Sequence, residues 1–203
     1  MTKTYNNLYN KIYSLENIGI ALSKARKGKT QKSHVIEFEK ELETNLLKLY
    51  LELINETYEP LPLKKFIIRD PKTRTIHKSE FKDRIVHHLL VMLLEPIFDK
   101  TFIYDSYANR IGKGNLKAIQ RFDSFVRKVS KNGKQNGWFN ANQIKGYCLK
   151  ADIKQYFQTV EHNILLDLIK QKIKDENFIN LIKKIVANFR IQRERERVTK
   201  ECL

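Results

Sequence analysis

Apolar positions recur every three or four residues through most of this chain, a spacing that predicts a largely helical protein. Residues 4–26 carry a first helical pattern, which breaks at the run Lys24-Ala-Arg-Lys-Gly-Lys-Thr-Gln-Lys32. Val35, Phe38, Leu42, Leu46, Leu49 and Leu53 step by three and four and predict a second helix. Tyr58-Glu-Pro-Leu-Pro62 ends it, because proline removes a backbone donor and forces the residue before it to be extended. Phe66–Ile68 and Thr73–Ile76 flank the turn Arg69-Asp-Pro-Lys72 and predict a short hairpin. Ile85, Val86, Leu89, Leu90, Leu93, Leu94 and Ile97 predict a third helix over residues 81–97, with Pro96 close to its end. Gly112-Lys-Gly114 opens a further helix through about Val126, and two Asn-Gly pairs mark residues 131–142 as an exposed loop. Residues 146–152 are predicted as a strand, followed by helices over 162–174 and 177–189. The fold class is α+β, rich in helix and without internal repeats.

With 203 residues, 41% of them hydrophobic, the chain is long enough to bury one core and too periodic to be disordered. Charge changes the picture most. Lysine and arginine number 39 against 23 acids, giving a net charge of +16 and a pI near 9.7. Such an excess repels itself unless a polyanion neutralises part of it, so nucleic acid is the first partner to expect. An anionic membrane surface and a ribosomal setting are the alternatives. The run from Lys24 to Lys32 alone holds five cations and no acid.

Cys148 and Cys202 are too few for a disulfide framework or a zinc site, and Cys148, among apolar residues, is expected to be buried. No apolar run approaches the ~18 residues of a membrane span, and the N-terminus lacks the apolar stretch of a signal peptide. A cytoplasmic, reducing setting without a membrane partner is therefore expected. Neither glycine-lysine pair is a phosphate loop of the NTPase kind. Ser23 stands where Gly28-Lys29-Thr30 would need its first glycine, and Tyr107 stands there for Gly112-Lys113.

Four segments carry candidate chemistry. Asp152 lies at the end of the predicted strand with Lys150 and Lys154 beside it. Nucleotidyl transfer needs two divalent metals held by carboxylates at strand ends or turns, and Asp152 has that setting. The same position also suits a helix cap or a surface charge. Arg69, Lys72 and Arg74 surround one short turn, where their charges can converge on a triphosphate or simply face solvent. Asp83 is favourable near a helix N-terminus, so its role can be purely structural, and Arg84 follows it. Gly112-Lys-Gly114, with Arg110 and Lys113, can offer backbone N–H groups and cations to a phosphate. His87 and His88 are adjacent and point to different helix faces, so they do not form a metal pair.

In their order along the chain these segments resemble the first half of a bacterial reverse transcriptase of the group II intron, retron and diversity-generating retroelement type. Asp152-Ile-Lys-Gln-Tyr-Phe157 resembles motif A, Phe81-Lys-Asp-Arg-Ile-Val-His-His88 the helix after the fingers hairpin, and Asp105-Ser-Tyr-Ala-Asn-Arg-Ile-Gly-Lys-Gly114 the following glycine block. The resemblance implies helix-rich fingers with a β-hairpin, joined to the start of a polymerase palm. It implies that Asp152 and the backbone carbonyl of Ile153 bind Mg²⁺ (or Mn²⁺), and that Phe157 packs under the nucleotide sugar. It further implies that Arg74, with Arg69 and Lys72, contacts the incoming deoxynucleoside triphosphate. Arg84, Arg110 and Lys113 are then expected on the nucleic-acid backbone, with an RNA template and a DNA or RNA primer as partners. Glu161-His162 is read as helix N-terminal structure.

The family's motif B, its Asp-Asp turn and its thumb have no counterpart in the sequence, and no Asp-Asp pair follows Asp152. The expected segments are a helical extension over 1–60, fingers over 61–144, the start of a palm over 145–189 and a charged tail over 190–203. Two readings follow. One is an RNA-directed DNA polymerase fragment, inactive alone; the other is a non-catalytic nucleic-acid-binding relic or split subunit. Exposed strand edges and apolar helix faces are expected in either case. A basic ribosomal or chromatin-type protein is the third reading, and it leaves the ordered motifs unexplained.

Overall fold

A computed structural model of the chain describes residues 3–133, 147–153 and 156–201. They form two compact units: Met1–Glu95 together with Thr159–Leu203, and Pro96–Gln158. The first unit therefore joins the expected N-terminal extension and hairpin to helices expected of the palm.

That unit begins with α1 (Tyr9–Ile12) and α2 (Leu15–Arg26), continues with α3 (Ser33–Lys40) and α4 (Leu42–Ile54), and then forms β1 (Lys64–Ile68) and β2 (Arg74–Lys78). Helix α5 (Phe81–Phe98) follows. After the second unit come α8 (His162–Lys170) and α9 (Glu176–Glu201). Ile12, Ile18, Leu49, Leu53, Ile85, Leu89, Ile173 and Phe178 are all buried. Each such aliphatic side chain contributes about 1.5–3 kcal/mol relative to exposure, so this core is where the unit's stability resides.

The apolar period over Val35–Leu53 predicts one helix, and the structure has two. Glu41 leaves the helical region with φ −124° and ψ 48°, and the Asn45 side-chain amide donates to the Phe38 carbonyl at 3.0 Å. A side-chain donor of this kind competes with the helical ladder and stabilises the break.

The ends of the chain's first and last segments are tied together. Tyr5 N–H donates to the Lys172 carbonyl at 2.8 Å, and Lys174 N–H donates to that of Tyr5 at 2.9 Å. One carboxylate oxygen of Asp175 caps α9 by accepting from Phe178 N–H at 3.1 Å, and the other accepts from Tyr9 N–H at 2.8 Å. The Tyr9 hydroxyl in turn donates to the Leu53 carbonyl at 2.6 Å, and burial, with nearby Glu56 adding, pushes its pKa up to about 12. Tyr9→Phe is expected to cost about 1 kcal/mol in urea denaturation, because the Leu53 carbonyl keeps a second donor in Glu56 N–H. The sign with pH follows from the raised value: the unfolded chain ionises first, so this stabilisation is lost as pH rises from 10 toward 12.

Three expectations need correcting. Residues 147–153 form no strand; Tyr147 and Leu149 are fully exposed, and Cys148 is exposed instead of buried. A strand needs a neighbour for its N–H and C=O groups, and β1 and β2, the sheet among the described residues, pair with each other. The predicted tail after residue 189 is helical, because α9 runs on to Glu201. Arginine and glutamate are good helix formers, and a helix already anchored at Asp175 extends through them without an apolar face.

The second unit holds α6 (Asn115–Val129) and the start of α7 (Tyr156–Thr159), preceded by a long loop. Helix α6 has an apolar stripe, Leu116, Ile119, Phe122, Val126 and Val129, and every one of these is exposed. Among the described residues, no helix is long and apolar enough to cross a membrane.

A candidate nucleic-acid interface

The hairpin pairs Lys64 with Lys78, Phe66 with Ile76 and Ile68 with Arg74 on one face, and Lys65 with His77 and Ile67 with Thr75 on the other. Side chains alternate along each strand, so Arg74 shares its face with Phe66 and Ile76. Arg69, Lys72 and Arg74 are all exposed, in and beside the turn that joins the two strands. Phe66, Ile67 and Ile68 are exposed too, so the ribbon presents apolar and cationic surface at once.

After β2, Asp83 is, among the described residues, the one charged side chain that is buried, with no exposure. Its carboxylate accepts from the Tyr58 hydroxyl at 2.7 Å and from Leu61 N–H at 3.1 Å. The segment behind the hairpin is held from the other side as well. Lys184 donates to the Tyr58 carbonyl at 2.9 Å and pairs with Glu59 at 2.8 Å, and Asn188 donates to the Leu61 carbonyl at 3.0 Å. Asp83 thus fixes the strand-entry segment against α5, the structural role its position predicts. Arg84 Nε donates to the Ser79 carbonyl at 3.2 Å, and its guanidinium reaches His34.

In the second unit Arg110 organises the glycine block. Its Nε and Nη2 grip the Asp99 carboxylate at 2.6 and 3.3 Å, and Nη2 also donates to the Asp99 carbonyl. Nη1 donates to the carbonyls of Ile103 and Ser106. All its donor nitrogens therefore have partners within the chain, and that hydrogen bonding holds the Asp99 carboxyl below its ordinary range. The glycine turn closes on itself in the same way: Lys113 N–H donates to the Arg110 carbonyl and Gly114 N–H to that of Tyr107. Gly112 and Gly114 have φ of +74° and +106°, which residues with a Cβ rarely adopt, and this is why the block needs glycine.

Lys113 donates to the Tyr104 carbonyl at 2.8 Å, with its ammonium 3.7 Å from the Tyr104 ring centre and 4.8 Å from that of Tyr107. Arg121 lies over Phe125 at 4.5 Å and Tyr104 at 5.4 Å, and it pairs with Asp105 at 2.8 Å. That hydrogen bond holds the Asp105 carboxyl below its ordinary range. Tyr104 is 70% exposed, which makes the cluster a cationic face with aromatic stacking surface. Reading the motif singled out Arg110 and Lys113 but missed Tyr104, Tyr107, Arg121 and Phe125. The four-residue step from Arg121 to Phe125 along α6 was the available signal.

Asp152 and Ile153 lie in exposed, irregular backbone ahead of α7. The side chain of Phe157 lies outside the described residues. Among the described residues, no group of three or more histidine, cysteine or acidic side chains could hold a metal ion. One carboxylate and one carbonyl do not make a two-metal centre, so the donor set described here does not fit that role by itself. Glu161 stands at the N-terminal boundary of α8 and its carbonyl accepts from Leu165 N–H, as its reading as helix-start structure requires.

The chain thus combines an α+β fold with a basic hairpin, an Asp-Arg helix opening and a glycine block. Comparison with known proteins gives it relatives. Protein YkfC of Escherichia coli is 27% identical over 137 residues, 66% of this chain and 33% of its own length. The group II intron-encoded protein LtrA of Lactococcus lactis is 27% identical over 150 residues, 71% of this chain and 22% of its own length. The mitochondrial nuclear intron maturase 1 of Arabidopsis thaliana is 27% identical over 114 residues, 55% of this chain and 14% of its own length. No protein-family model matches the sequence. The chain is homologous, at modest identity over part of its length, to group II intron-encoded proteins, which are reverse-transcriptase-related. It spans a third or less of the length of these relatives.

Proposed function

We propose that this chain binds RNA as the fingers and first palm segment of an RNA-directed DNA polymerase. The observation that carries the reading is the hairpin with its exposed basic tip, followed directly by the Asp83-Arg84 helix opening, in a chain whose relatives are group II intron proteins. In this reading the tip residues Arg69, Lys72 and Arg74 meet the triphosphate of an incoming deoxynucleotide. Arg84 and the Tyr104–Lys113–Arg121 face meet the RNA template and its primer. Arg110 serves that face by holding the Asp99–Gly114 loop in shape. Asp152 and the Ile153 carbonyl contribute one part of a metal site whose other carboxylates come from elsewhere, and Mg²⁺ or Mn²⁺ belongs to that assembled site.

Binding of a labelled RNA–DNA primer-template to the full chain, followed by fluorescence anisotropy across a salt series, tests the reading. A slope of log K against log salt of several units is expected, because each neutralised phosphate contributes about −0.7 to −0.9. No binding, or a slope near zero, would overturn it. Primer extension on the same complexes separates binding from catalysis, and the chain alone is expected to bind without extending. Translation of the coding DNA past codon 203 should reveal an aromatic-x-Asp-Asp turn; if neither it nor a partner chain supplies one, the polymerase part of the reading falls.

A further inference from the structure

The cation run from Lys24 to Lys32 has no part in the hairpin or the glycine block, yet folding brings it to a second basic cluster. His34, in the first turn of α3, is faced by a cation at each ring nitrogen. Lys78 Nζ lies 3.2 Å from Nδ1, and Arg84 Nη1 lies 3.4 Å from Nε2. A neutral imidazole has one acceptor nitrogen and carries a proton on the other, while lysine and arginine have donors only. One of the two contacts therefore sets donor against donor. Protonating the ring would leave three cations touching.

Glu80, the acid that acts on His34 and Lys78, is already held by Lys64 at 2.6 Å. The directions in which the pKa values of the cluster move agree with this crowding. Burial, then Lys78 and Arg84, and further Lys29, lower the pKa of His34, with Glu80 opposing. Burial, then Arg84, lower that of Lys78, and burial, Lys29 and Lys24 lower that of His88. Like charge from the α2–α3 connection, α3, β2 and α5 has been gathered within one compact unit. Such an arrangement is relieved by an anion that accepts from all three groups at once.

We propose that His34, Lys78 and Arg84, beside the Lys24–Lys32 run, form a binding site for a phosphate of an RNA backbone. The RNA source rests on the function proposed above; the phosphate chemistry does not. A phosphate can accept from the Lys78 ammonium through one oxygen and from the Arg84 guanidinium through another, which offsets the crowding of cations, and a protonated His34 adds a third donor. RNA binding and His34 protonation are then linked, so the site tightens as pH falls through the titration of His34.

The test follows the five histidines of the full, ¹⁵N-histidine-labelled chain by NMR between about pH 5 and 8, with His34→Gln assigning the signal. An RNA oligonucleotide is expected to raise the His34 midpoint by about one pH unit. Inorganic pyrophosphate should raise it less, and Lys78→Gln should reduce the salt slope of RNA binding by about one. RNA that binds while the His34 midpoint stays in place overturns the site and leaves the proposed function standing. A midpoint raised by pyrophosphate in a chain that binds no RNA keeps the phosphate site and overturns its RNA source. Both outcomes are titrated on the unmodified chain, and His34→Gln serves only to assign the signal.

Discussion

Asp83→Ala is expected to destabilise the chain by about 2–4 kcal/mol, because it leaves the buried Tyr58 hydroxyl and the part-buried Leu61 N–H without an acceptor. The Tyr58 hydroxyl and Leu61 N–H both point at that carboxylate, and Tyr58 itself is 1% exposed. Burial, with Asp83 adding, holds the Tyr58 hydroxyl well above the usual tyrosine range, so it is a donor at every practical pH. Asp83→Asn keeps one acceptor oxygen and is expected to lose roughly 1–3 kcal/mol. Equilibrium urea unfolding of the three proteins checks the order. The pH dependence has a definite sign. Burial raises the pKa of Asp83 above its ordinary value, more than its two hydrogen bonds lower it. The folded state therefore binds the proton more tightly than the unfolded chain. Its advantage over Asp83→Asn is full below the ordinary carboxylate pKa and shrinks as pH rises through the raised folded value. A gap that widened toward pH 7 would contradict the burial seen here.

The second large effect is on binding. Replacement of Arg69, Lys72 and Arg74 together by glutamine is expected to weaken binding of a deoxynucleoside triphosphate roughly a hundredfold at low salt and to flatten the salt dependence of that binding. All three side chains are exposed, so the unfolding transition should not move by more than about 0.5 kcal/mol. Anisotropy and urea melts on the same protein separate the two. Equal losses in affinity and stability would assign the tip to folding; unchanged affinity at low salt would remove it from the triphosphate site. Arg74→Lys keeps the charge and loses the planar fork, so it should leave the salt slope alone.

How far these features were legible before folding differs by element. Helix α5 and the hairpin were readable because their signals are local: a three-to-four residue apolar step, and β-prone runs around an Asp-Pro turn. The glycine block was readable because positive φ selects glycine. Asp83 was readable as a structural residue from helix polarity, but its partners were not; Tyr58 lies 25 residues away. The Asp175 contact to Tyr9 spans 166 residues, and no spacing rule reaches that far. The predicted strand over 146–152 shows the opposite failure. Its apolar pattern is local, but a strand exists only when another segment pairs with it.

The candidate site divides along the same line. By itself the sequence determined the sign of the charge, the local elements and the places where cations cluster along the chain. It could not say where those cations point. Tertiary structure decided that Arg110 turns inward onto Asp99, that Lys113 sits over two tyrosine rings, and that Lys78 and Arg84 meet across His34. The reason is physical: a hydrogen bond or a like-charge contact is decided over ångströms between segments far apart in the chain, and sequence spacing fixes distances only within one element.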